Sequence, residues 1–163
     1  MTTTETATAR QSSVVALCRR ALNCLDAVPY TLLAIPLRLA VATVFWNSAQ
    51  THLANWDTTL FLFENDYALP FLPPHLAAYM AVAIEVTTPI LLVLGLLTRA
   101  ASAVLLGMTL VIEIFVYPMA WPTHIQWAAM MLVLMAYGAG RLSLDRLISS
   151  HRALAISFLP AFL

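Results

Sequence analysis

The sequence predicts an all-α polytopic membrane protein, a bundle of four transmembrane helices with both termini on the cytoplasmic side. Three observations predict it. First, 61% of the 163 residues are apolar and only 10% are charged, with mean hydropathy +0.84, whereas an ordinary soluble domain is roughly a quarter charged. Second, the chain holds four continuous apolar runs, each close to the roughly 20 residues that cross a hydrocarbon core as a helix. Third, the arginines partition between the connecting segments in a way that only four spans reconcile. Strands are excluded because the runs are continuously apolar rather than alternating. A single bundle is expected, since the chain is too short for two sizeable domains.

Residues 1–13 are polar and threonine-rich, lack the basic-then-apolar layout of a cleaved signal peptide, and read as a disordered tail. Residues 14–28 place Val14, Leu17, Ala21, Leu25 and Val28 at helical spacing, with Arg19, Arg20, Asn23 and Asp26 on the other side. That pattern predicts an amphipathic helix lying on the membrane surface, its arginines towards anionic headgroups. Pro29 ends it. The membrane domain then occupies 29–148, with spans at about 31–53, 76–97, 100–120 and 122–141. Only the first join, 54–75, is long; it carries Asp57, Glu64, Asp66, several aromatics and Pro70, Pro73 and Pro74. Residues 149–163 are too short to span and read as an interfacial tail.

Orientation follows from arginine. Arg10, Arg19 and Arg20 precede the first span, Arg99 lies in the second join, and Arg141, Arg146 and Arg152 follow the fourth span. The long loop and the Pro118–Pro122 turn carry none. Four spans put every basic segment on one face, which is then cytoplasmic. Trp56, Tyr67, Tyr117 and Trp121 form an aromatic belt at the outer boundary.

Eight arginines balance eight acidic residues and there is no lysine, so the clustered basic excess of a nucleic-acid binder is missing. Cys18 and Cys24 form neither a CxxC nor a zinc pattern and read as small apolar residues on a helix. No phosphate-cradling glycine loop, nucleophile elbow or CxxCH haem attachment occurs.

Chemistry then falls to ionisable groups inside the spans. Each costs about 2.5–3.5 kcal/mol near a helix centre and needs a partner or a purpose. Glu85 sits in the second span, followed by Thr87, Thr88 and Pro89; Glu113 belongs to a third-span stripe with Ser102, Thr109 and Tyr117; His124 opens the fourth. Counted from the outer ends, these three groups share the outer half of the membrane. In the first span Thr43, Asn47, Gln50 and Thr51 share one face, while Arg38 lies in the inner half, about half a turn out of phase with Asn47.

Three readings compete. Arg38 with a glutamate is a buried ion pair that fixes helix register. Alternatively Glu85 and Glu113 exchange protons beside a quinone headgroup held by Asn47, His124 and Arg38, because a quinone needs hydrogen-bond partners for its two oxygens. The third reading is a copper site of His124, Met131 and Met135, since thioether and imidazole suit Cu(I), against the ordinary use of methionine as an apolar gap-filler.

The chain resembles the DoxX family of small bacterial membrane proteins over about residues 31–148. The resemblance is carried by PLRLAVATVFWNSAQTHL in the first span, IEVTTPILLVLGLLTRAAS across the second join, Glu113, and GAGRLSLDRLI after the fourth span, where Ser143 and Asp145 are placed to cap a short helix. Where the family's first span commonly ends in glycine followed by lysine, this chain has Asn47-Ser48-Ala49-Gln50-Thr51-His52, so any role of that lysine falls to His52 or Gln50. The segment FVYPMAWPTHIQWA is similar to a branch found beside genes for iron-dependent peptide-modifying oxygenases and metal-stress peptides. The resemblance implies a four-helix subunit of the bacterial plasma membrane that supports a redox or metal-stress pathway, with a protein partner or as a homo-oligomer. It implies at most a subunit of a quinone-linked oxidoreductase. The alternatives are a non-catalytic scaffold or copper-binding protein, and a small solute carrier acting as an oligomer.

Overall fold

The computed structural model describes residues 15–149; the predicted tail 1–13 and nearly all of 149–163 lie outside them. Among the described residues every regular element is helical. In chain order these are α1 (15–26), α2 (Tyr30–Ala54), α3 (Trp56–Leu62) running into a π turn (Phe63–Tyr67), α4 (Pro74–Leu94), α5 (Thr98–Val111) running into a second π turn (Ile112–Val116), a 3-10 turn (Pro118–Ala120), α6 (Trp121–Tyr137) and α7 (144–149).

Three of these helical stretches, Tyr30–Ala54, Pro74–Leu94 and Thr98–Val116, are long and apolar enough to cross a membrane. The fourth expected run forms α6, which is 17 residues long and so covers about 25 Å at the helical rise. α2 packs on α4 and α5 on α6, with α4 against α5 and α2 against α6 closing the bundle. Its core takes Val41 and Phe45 from α2, Leu92 from α4, Leu105 from α5, and Met131 and Leu134 from α6. The outward faces keep large apolar side chains such as Leu39, Ile90, Val104 and Leu132, which is the surface a lipid solvent requires.

The expected ends shift for identifiable reasons. The second span stops at Leu94 rather than 97 because Gly95 takes a left-handed conformation (φ 66°) and returns its N–H to Leu91 and Leu92, while Leu96 N bonds Leu91 O at 2.9 Å, a Schellman-type close. The fourth stops at Tyr137 rather than 141 because Gly138 leaves the helix at φ 76°. The first join is more ordered than its composition suggested. Asn55 Oδ1 accepts the Thr58 N–H at 3.0 Å and starts α3, whose continuation buries Phe63 against Ala77 and Ala78 of α4.

α5 has no capping side chain of its own, because Leu97 precedes it. Asp145, far along the chain, supplies the acceptors: Oδ1 for Leu97 N at 3.0 Å and Oδ2 for Thr98 N at 3.5 Å. Of the two residues expected to cap a short terminal helix, Ser143 does so, its Oγ accepting Arg146 N at 3.3 Å. Asp145 instead serves the helix across from it, since a carboxylate at a helix N-terminus satisfies orphan N–H groups and the dipole together.

At this end of the bundle a Cβ on Gly95 would lie 2.7 Å from Ser143 Cβ and 3.0 Å from Arg38 Cζ. Gly95→Ala therefore combines a left-handed backbone penalty with overpacking and is expected to destabilise by roughly 2–4 kcal/mol. A thermal unfolding midpoint in detergent equal to wild type would contradict this packing.

Candidate functional site

The half of the bundle away from Gly95 holds a cavity of about 450 Å³, within the range of small-molecule sites. Its walls are mostly apolar, from Val44 and Phe45 of α2, Met80, Ala81 and Ile84 of α4, and Val104, Met108 and Val111 of α5. A few polar groups converge on it: Ser48, His52, Tyr67, Glu85, Tyr117 and His124.

Glu85 is 3% exposed. Its Oε1 accepts the Ser48 hydroxyl at 2.8 Å; its Oε2 is buried without a hydrogen bond, 3.9 Å from His52 Nε2. That separation is too long for a direct bond. His52 is held from α3: the Thr59 hydroxyl donates to His52 O at 2.8 Å and lies 3.4 Å from His52 Nδ1. With its hydrogen committed to the carbonyl, Thr59 offers only a lone pair to the ring, which favours a proton on Nδ1 and a bare Nε2 facing Glu85. Glu85 Oε2 and His52 Nε2 thus leave one acceptor pair unsatisfied beside the same space.

Opposite them, His124 Nδ1 and Glu113 Oε2 form a hydrogen-bonded pair at 2.5 Å. Glu113 lies on the π turn that follows α5, a local widening of the kind that recurs at functional sites, and the turn brings its carboxylate to the first turn of α6. His124 lines the cavity while Glu113 stands behind it, an orientation that leaves Nε2 as the ring's free nitrogen. Trp127, one turn on, stacks near His124 with centroids 5.0 Å apart and meets Phe45 edge-on at 5.9 Å.

The outer wall is aromatic. His52, Phe63, Tyr67 and Tyr117 follow one another at centroid distances of 5.8, 4.9 and 5.8 Å, and the Tyr117 hydroxyl donates to Tyr67 Oη at 3.4 Å. Burial pushes the Tyr67 phenol up, so it stays neutral and keeps its proton at any physiological pH. Tyr67 ends the first π turn and Tyr117 directly follows the second, and together they close the cavity between the long loop and the end of α5.

Several expected site residues lie elsewhere. Asn47 points away from the cavity and is exposed, as are Thr43, Gln50 and Thr51, because α2 turns the face of Arg38, Val41, Phe45, Ala49 and His52 inward. Of the two stand-ins for the family lysine, His52 reaches the cavity and Gln50 does not. Arg38 is buried but pairs with no carboxylate and does not line the cavity. It donates through Nε to Leu92 O (2.7 Å), through Nη1 to Ala139 O (3.0 Å) and Leu142 O (2.9 Å), and through Nη2 to Val93 O (2.6 Å). The register-fixing Arg–Glu ion pair is thereby replaced by a cation capping the ends of two segments. Of the expected copper trio, Met131 is fully buried in the core, and neither it nor Met135 lines the cavity that His124 faces. Ser48, absent from the expected set, and His52, expected only as a stand-in for the family lysine, were marked by their spacing with Val41, Phe45 and Ala49 on the inward face.

The DoxX family profile matches residues 33–118, more than half of the 163 residues. The chain belongs to the DoxX family. No curated protein and no solved structure matches it. The segment shared with DoxX proteins runs from α2 to the turn after Tyr117. It contains Arg38, Ser48, His52, Glu85 and Glu113 but stops before His124. The Glu113–His124 pair therefore joins the DoxX segment to the chain that follows it.

Proposed function

We propose that this DoxX protein is a four-span plasma-membrane subunit of a redox or metal-stress pathway, with both termini cytoplasmic and a quinone-type headgroup held in its outer-half cavity. The observation that carries the reading is the unsatisfied Glu85 Oε2, buried in an otherwise apolar, aromatic-walled space beside the free nitrogen of His52. A buried polar atom without a partner is costly, and a donating ligand hydroxyl set between the two groups would relieve it. The volume and walls suit a substituted ring. Glu85 and His52 would accept from one ring hydroxyl, while the Tyr67 hydroxyl, and His124 Nε2 when the ring carries a second proton, donate to the other oxygen.

A quinone supplies two-electron, two-proton chemistry when bound. The chain's own part is to bind and orient the ring, exclude water, and hold protons at Glu85 Oε2 and His124 Nε2, with Glu113 steadying the imidazole through Nδ1. The four-span, cytoplasmic-termini topology is supported by Arg99, Arg141 and Arg146, which line the groove at the end opposite the cavity, and by Arg19 and Arg20, which precede α2 in the chain, the distribution the positive-inside rule describes. α6 crosses at the short end of the spanning range.

Binding of a short-chain quinone analogue to the purified full chain tests the reading. Glu85→Gln keeps the shape and the Ser48 contact but loses the protonatable oxygen. It is expected to weaken binding about tenfold, the effect of one good hydrogen bond, with folded yield unchanged. A wild-type protein that binds no quinone, or a Glu85→Gln variant that binds as tightly, would overturn it.

A further inference from the structure

We propose that the end of the bundle remote from the cavity binds the phosphate headgroup of an anionic lipid between Arg99, Arg141 and Arg146. A groove of about 740 Å³ opens there between the start of α2, the first turn of α5, the end of α6 and α7. The three arginines line it together with Tyr30, Tyr137 and Ser149. Among the described residues none of these guanidinium groups pairs with a carboxylate. The one acid in the groove, Asp145, is committed to the N–H groups of Leu97 and Thr98. Three cations therefore face a space whose only carboxylate is already engaged.

The groove is also preformed. Arg99 lies across the end of α6, donating from Nη2 to Ala136 O at 3.1 Å. It can lie there because Gly138 has no side chain: a Cβ at that position would come within 3.3 Å of Arg99 Nε. The Tyr30 hydroxyl donates to Gly138 O at 2.7 Å, and its ring packs on Tyr137 with centroids 5.2 Å apart. Thr31 Oγ1 accepts the Arg141 N–H at 3.1 Å, which fixes where the Arg141 side chain departs. Paired tyrosines beside arginines, at the level where apolar helices end, form the polar–apolar boundary that a lipid headgroup occupies.

Charge selects the occupant. The chain outside the described residues offers one acidic side chain, Glu5, against Arg10 and Arg152, so it brings no excess negative charge to the groove. An anionic phospholipid does, and its acyl chains continue along the apolar outer faces of α2 and α6. The inference requires only that the protein sits in a membrane and is independent of what fills the cavity.

The test is lipid retention on the full chain in mild detergent, read by native mass spectrometry and by the thermal midpoint during titration with phosphatidylglycerol or phosphatidylcholine. Phosphatidylglycerol is expected to stay bound and raise the midpoint, and phosphatidylcholine is not. Arg141→Gln and Arg146→Gln, whose side chains support no other described contact, are each expected to weaken phosphatidylglycerol about fivefold. Arg19→Gln with Arg20→Gln on α1 should leave it unchanged. Undiminished retention in the Arg141 and Arg146 variants overturns the site. Equal loss in the α1 variant reduces it to general surface attraction. Displacement of the lipid by inorganic phosphate would reassign it to a soluble anion, and that too overturns the proposal.

Discussion

Replacing Arg38 with methionine is expected to remove about 3–5 kcal/mol of folding stability. Methionine fills similar volume and spares the desolvation of a charge, so packing alone would make the change mild. The carbonyls decide otherwise. Leu92 and Val93 end α4, while Ala139 and Leu142 follow α6, and all four give up their hydrogen bonds to one guanidinium. A bond to a charged donor contributes about 1.5–3 kcal/mol; two of these carbonyls sit where the contact is only part-buried and regain water, which holds the total below the sum. Against a typical stability of about 5–15 kcal/mol the loss leaves a substantial unfolded or aggregated fraction. Arg38→Lys should recover less than half, because a single ammonium cannot span two carbonyl pairs as a planar fork does. Size-exclusion profiles and thermal midpoints in detergent check both. A methionine variant within about 1 kcal/mol of wild type would show that these segment ends need no cation.

Arg38 also shows where sequence was readable and where it was not. That a lone arginine in an apolar run must have a partner follows from the cost of burying it; that the partner is a set of carbonyls follows only from the fold, because Gly95 and Gly138 break their helices just where the side chain arrives. The apolar runs were legible because lipid demands unbroken hydrophobicity. Their ends were not, since Asp145 caps α5 across 47 or 48 residues. α3 hid in a loop of mixed composition although Asn55, three residues before Thr58, is a local capping signal. Within the site, Glu85, Glu113 and His124 stood out as rare ionisable groups, but their partners depend on helix rotation. The polar stripe of Asn47 drew attention to the face of α2 turned away from the cavity, because it is longer than the pair Ser48 and His52 that the core spacing carries inward.

The Glu113–His124 pair yields the second large effect, and it separates a site from a brace. Both side chains are nearly enclosed, at 13% and 6% exposed, and Glu113 is the hydrogen-bond partner of His124 Nδ1. Glu113→Leu strips that partner and leaves a polar ring nitrogen buried against aliphatic carbon, a change expected to cost about 3–5 kcal/mol. Glu113→Gln keeps an amide oxygen in place to accept from Nδ1–H, so its cost should stay near about 1 kcal/mol. If the pair served only to join α5 to α6, the glutamine variant would bind ligand as wild type does once its small loss of stability is allowed for. If the imidazole's free nitrogen faces a ligand, the glutamine variant stays folded yet loses function, because a neutral amide cannot stabilise a proton on the ring as a carboxylate does. Quinone-analogue affinity about tenfold weaker at wild-type stability is the expected result. Affinity per folded molecule unchanged in the glutamine variant would make Glu113 a brace and move the proton chemistry to Glu85 and His52 alone.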